Sequence, residues 1–156
     1  MGFVVFFLLA WLVVSLFAVL KKKLTFAENT LVFLVILIVS INFSWIVIEE
    51  LNLIKLSHES LKYTAYLLNR SIIIPILILI GVNLLQWSKT MMKKITVILS
   101  SVILMIGVVM LSNFYDIIEY QHWHYWYDGI YFFILNCIAI LSYKLFVRVS
   151  RNVVSY

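Results

Sequence analysis

Residues 115–129 read YDIIEYQHWHYWYDG and hold three carboxylates, two histidines and six tyrosine or tryptophan rings, with no lysine or arginine. Carboxylates and imidazoles are the side chains that ligate divalent metals and move protons near neutral pH. Glu119 and His122 have the Glu-x-x-His spacing. On a helix that spacing puts both groups on one face, as in the di-metal carboxylate bundles. Those bundles combine two such motifs with two further glutamates, and this chain has one motif. His122 and His124 form a His-x-His pair. On a helix they diverge by about 200° and cannot share an ion; on extended backbone they can. A helical site therefore uses Glu119 with His122, and an extended site uses His122 with His124. Asp116, Asp128, Glu59 or His58 would complete either. The metal reading expects a divalent ion here, and no other cofactor is implied.

The same stretch has a simpler reading. Trp123, Tyr125, Trp126, Tyr127 and Tyr131 are the residues of an interfacial aromatic belt. Asp128 suits the N-terminal end of a helix dipole. Elsewhere the motifs of common chemistries are missing. The single cysteine, Cys137, excludes an internal disulfide and a two-cysteine redox or zinc motif. No Ser/His/Asp triad, phosphate-binding glycine loop or His-Glu-x-x-His sequence is present.

The elements that would position these residues are written in the hydrophobicity. The chain has 156 residues, 65% of them hydrophobic and 12% charged. A soluble domain averages roughly half apolar and about a quarter charged, so this composition points to lipid as the solvent. Apolar runs cover 2–20, 31–48, 71–87, 95–114 and 126–143. Each is long enough, some with help from flanking aromatics, to cross ~30 Å of hydrocarbon as a helix. Barrel strands are shorter and alternate in polarity. The expected fold is all-α: a polytopic transmembrane helical bundle of five spans forming one membrane domain over 1–156, with four spans as the fallback.

Charge sets the orientation. Lys21, Lys22, Lys23, Lys89, Lys93, Lys94, Lys144, Arg148 and Arg151 fall on one side of a five-span chain, and only Lys55, Lys62 and Arg70 on the other. The positive-inside rule then gives a multi-pass plasma-membrane protein with an outer N-terminus and a cytoplasmic C-terminus. Four spans would break this pattern. The net charge of +5 sits in clusters at the ends of apolar runs, which is topology and not a nucleic-acid surface.

Leu51, Ile54, His58, Leu61, Ala65 and Leu68 recur at spacings of three and four, which predicts an amphipathic surface helix in the outer loop 49–70, either separate or running on into the third span. Arg70, at the mouth of span three, is expected to pair with Glu49 or Glu50 at the end of span two, since a charge near lipid needs a partner or water. Pro75 lies one turn into span three, where a proline is tolerated; if the helix begins earlier, near Leu61, Pro75 becomes a kink. Within the spans, Asn42, Asn83, Gln86 and Asn136 read as helix–helix glue, or, in a permease, as a path. No ionisable side chain lies at mid-membrane, which argues against an ion-coupled carrier and against transmembrane haem ligation.

The segments NRSIIIP and IIEYQHWHYWYDG, each opening a span, resemble short multi-spanning membrane proteins of spore-forming, low-GC Gram-positive bacteria. The likeness covers about the C-terminal two thirds and is one of general pattern. It transfers no site residues, and it implies a bacterial plasma-membrane protein. Taken together, the residues lead to a non-enzymatic membrane protein: a small subunit, assembly factor or sensor that acts through helix and outer-face contacts. Its partners are the bilayer and a membrane protein or second copy of itself. An outer-face metal-dependent enzyme is the first alternative and a permease component the second.

Overall fold

A computed structural model of the chain describes residues 1–153; the Arg151 side chain, counted above among the basic residues, lies outside the described residues. The fold is all-helical in its framework. Five helices are long and apolar enough to cross a membrane: α1 (Gly2–Val19), α2 (Phe26–Glu50), α3 (Ser60–Trp87), α4 (Met91–Phe114) and α5 (Tyr125–Val153). Each apolar run lies within or almost wholly within one helix, and the last four helices extend beyond their runs into polar flanks. Two short strands, β1 (Ile54–Leu56) and β2 (Ile118–Tyr120), stand between helices.

Helix α3 is the hub. In its most apolar window 56% of residues are buried, against 17–22% in the other four helices. It packs against α1, α2, α4 and α5, while α2 also meets α5 and α5 meets α4. The sequence of its middle, SIIIPILILIGV, is apolar on every side, as a helix surrounded by others must be. The remaining helices keep large apolar residues such as Trp11, Leu34, Ile103 and Ile134 exposed. So extensive an apolar exterior fits contact with lipid or another apolar surface.

Helix α3 begins at Ser60, so Pro75 does sit inside a continuous helix. A proline there lacks an N–H and its ring collides with the carbonyl four residues back. The chain meets this with a π-helical turn over Asn69–Ile73, in which the Ile74 N–H donates to the Asn69 carbonyl. Such a turn widens the helix just before the proline. Helix α2 ends in a second π-helical turn, Ile46–Glu50.

Two left-handed residues launch the strands. Asn52 has φ 50° and Asp116 has φ 51°; Asn and Asp tolerate this region better than other side-chain-bearing residues. After α4, the Asp116 N–H donates to the Asn113 carbonyl and the Ile117 N–H to Ser112, a Schellman closure. The two chains leaving these turns pair antiparallel, with Ile54 opposite Tyr120, Lys55 opposite Glu119 and Leu56 opposite Ile118. Period-two alternation turns Ile54, Leu56, Ile118 and Tyr120 towards the bundle and Lys55 and Glu119 away from it.

The expected surface helix over 49–70 is thereby corrected. Residues 60–68 are helical, as the first turns of α3, but residues 54–56 are a strand. The stripe of spacings three and four competed with the alternation Ile54-Lys55-Leu56. A strand partner from far down the chain decided the outcome, and no local pattern reveals that partner.

At the opposite end, the α1–α2 connection is tied to α3 by Asn83. Its Oδ1 accepts from the Lys23 N–H (3.0 Å) and the Leu24 N–H (3.2 Å). Its Nδ2 donates to Asn29 Oδ1 and to the Leu79 carbonyl, both at 2.9 Å. Asn29 in turn donates to the Leu24 and Thr25 carbonyls. Thr25 and Glu28 close a capping box that starts α2. Trp87 Nε1 donates to the Lys21 carbonyl, and the Lys23 ammonium lies over the Trp87 ring.

Candidate functional site

The segment between β2 and α5 turns back on itself and buries a carboxylate. Asp128, in the first turn of α5, is only 6% exposed. Its Oδ2 accepts a hydrogen bond from the Tyr120 hydroxyl at 2.5 Å, and its Oδ1 accepts from Trp123 Nε1 at 3.0 Å. Both donors come from residues just upstream, so the turn folds around its own acid. The Tyr125 ring meets Tyr120 edge-on. Phe43 of α2 stacks on Tyr131 of α5 with centroids 3.9 Å apart, and Tyr131 donates to Ser40.

The ring residues therefore divide. Trp45 and Trp126 are exposed, as belt residues are. Tyr120, Trp123 and Tyr131 instead wall a cavity of about 70 Å³ beneath the ribbon. By a comparable measure one water needs roughly 10–15 Å³, so there is room for several waters or a small polar group.

The opposite wall is the start of α3. Tyr66, Asn69 and Arg70 stand three and four residues apart, hence on one face, and all three line the cavity with Asp128. The Tyr66 hydroxyl, Asn69 Oδ1 and Arg70 Nε are buried and have no hydrogen-bond partner. Asn69 Nδ2 does have one, Ser112 of α4 at 3.3 Å. The Arg70 guanidinium lies over the Tyr66 ring at 5.4 Å, and both Ser44 of α2 and the Arg70 guanidinium stand close to the Tyr66 hydroxyl. Tyr131 lies within electrostatic reach of both Arg70 and Asp128.

Arg70 is not where its expected ion pair would put it. Glu49 and Glu50 are exposed on the last turn of α2, and the ion pair among the described residues is Lys62 with Glu59 on the ribbon-end turn of α3. Sequence adjacency of spans two and three suggested the pairing. The inward rotation of Arg70 over Tyr66 prevents it.

The metal candidates lie on the exposed face. Glu119 points away from the bundle, across from Lys55. His122 and His124 are exposed; the His124 ring packs edge-on to Tyr127. Among the described residues no group of three or more His, Cys, Asp and Glu side chains is gathered as a metal site would require. His58 is exposed as well.

The polar residues of the spans differ in fate. Asn83 is 0% exposed with both amide atoms bonded twice, and Asn136 donates to the Phe132 carbonyl while its Oδ1 accepts from Ser101. Asn42 and Gln86 are exposed, and the Asn42 amide returns to the Ile38 carbonyl of its own helix. Tyr66, Asn69 and Tyr120 carry no motif in the sequence, and Asp128 reads there as a helix-end charge or a completing metal ligand. The available signal was the cluster Tyr66, Asn69, Arg70 at helical spacing just before an apolar run.

No family model, no curated protein and no solved structure matches the chain.

Proposed function

We propose that this chain is a multi-pass plasma-membrane protein that works by binding, as a small subunit, assembly factor or sensor, with its recognition face at the ribbon end and that end outside the cell. One observation carries the reading. Asn83 and Asn136, buried among the helices, are consumed in hydrogen bonds between and within helices, whereas among the described residues the unpartnered buried polar groups gather under the ribbon. Interhelical hydrogen bonds of this kind hold bundles together, and a carrier needs polar groups free to meet a substrate. Asn83 bonds to Asn29, to the Leu79 carbonyl and to the backbone of residues 23 and 24, so it has no amide atom to offer a path.

The test is photo-cross-linking in native membranes. A photoreactive amino acid replacing Lys55 or Tyr63, both exposed at the ribbon end, is expected to give one discrete adduct that is missing when the label replaces Met92 at the other end. Uptake of a solute into proteoliposomes, lost on Asn42→Ala, would instead establish the permease reading.

A further inference from the structure

The cavity under the ribbon contains two unpartnered donors, the Tyr66 O–H and the Arg70 Nε–H, and one unpartnered acceptor, Asn69 Oδ1. Asn69 is 5% and Tyr66 9% exposed, so water at the surface does not satisfy them. Buried polar groups in folded proteins nearly always have a partner, and three orphans on one face of α3 mark a place that something fills. One acid stands on the facing wall, the Asp128 carboxylate. Tyr120 and Trp123 hold that carboxylate, and among the described residues Arg70 and Asp128 form no ion pair.

We propose that the cavity binds a phosphate group. Its anionic oxygens accept from Arg70 Nε and the Tyr66 hydroxyl, and an adjoining O–H or N–H donates to Asn69 Oδ1. Arginine favours this chemistry because its guanidinium offers fixed, always-charged donors. Asp128 on the opposite wall disfavours a second negative charge, so the group is a monoanion: a phospholipid headgroup diester or singly charged inorganic phosphate. This assignment holds whether or not the ribbon end also recognises a protein.

Two measurements on the purified full chain in neutral, phosphate-free detergent separate the sources. Native mass spectrometry reads phospholipid carried from the membrane, and thermal unfolding is followed during titration with inorganic phosphate. A lipid source gives a retained phospholipid and no phosphate response; a free source gives a saturable rise in unfolding temperature and no retained lipid. In either case Arg70→Gln lowers affinity by roughly tenfold or more, the loss of one charge-assisted hydrogen bond. Tyr66→Phe weakens binding several-fold while shifting the unfolding temperature of the empty protein little, because the hydroxyl it removes makes no hydrogen bond of normal geometry and only loose contacts with Ser44 and Arg70. That variant keeps the test meaningful if Arg70→Gln fails to fold. Neither retained phospholipid nor a phosphate response would mean that water alone fills the cavity and would overturn the proposal. Binding unaffected by Tyr66→Phe and Arg70→Gln would overturn it as well.

Discussion

The Tyr120 hydroxyl donates to Asp128 Oδ2 across the joint between β2 and α5, so the last residue of the ribbon is latched to the first turn of the last helix. Removing the donor leaves a buried carboxylate oxygen short of a partner. Tyr120→Phe should lower stability by about 1–3 kcal/mol, the usual penalty for such an orphan, seen as a lower unfolding temperature in detergent.

The same bond has a pH signature. Burial first, and then the hydrogen bond to Asp128 and that residue's charge, raise the Tyr120 phenol above its ordinary value of 10.0. A raised folded-state value means that the folded protein keeps this proton after the unfolded chain has lost its own. The stabilisation is therefore full below about pH 10 and falls as pH rises above it. Unfolding temperature followed from pH 7 to 11 should drop more steeply above pH 10 in the wild type than in Tyr120→Phe. Parallel curves would show that the latch does not titrate.

The turn at Asp116 depends on its backbone. With φ at 51°, Asp116→Ala puts a methyl group in a region that costs most residues roughly 1–2 kcal/mol, whereas Asp116→Gly should be neutral or stabilising. Loss of ribbon protection in hydrogen exchange for Ala but not Gly would confirm that backbone conformation, and not the Asp116 charge, matters here.

Asn83 and Asn42 look alike in the sequence, each an amide within an apolar run, and should behave differently. Asn83→Leu strands the Lys23 and Leu24 N–H groups and the Asn29 amide, a loss of about 2–4 kcal/mol if one or two buried orphans remain. Asn42→Ala removes an exposed bond within its own helix and should change stability by less than ~0.5 kcal/mol. Thermal unfolding of the two variants side by side checks the contrast.

The helices are legible because each is written as a long apolar run, so all five are visible in the sequence. The ribbon was hidden because each strand is three residues long and its partner lies in a distant loop. Asp128 was recognised as a helix-end acid, yet its latch to Tyr120 appears only once the chain is seen to fold back between them. From the sequence Arg70 reads as a charge that needs a partner near lipid, and proximity points to Glu49 and Glu50; the facing of α3 sends the guanidinium inwards instead, over Tyr66. The conditional reading of Pro75 resolved towards the helix interior because α3 absorbs it in a π-helical turn.

Everything proposed for the ribbon end assumes that it faces outwards, and cysteine labelling tests this most directly. In a Cys137→Ser background, Glu119→Cys places a thiol on the ribbon and Lys93→Cys places one at the opposite end. In intact cells a membrane-impermeant maleimide should label position 119 at once and position 93 only after permeabilisation. Labelling of position 93 in intact cells, with position 119 protected, would invert the molecule and contradict an outer recognition face.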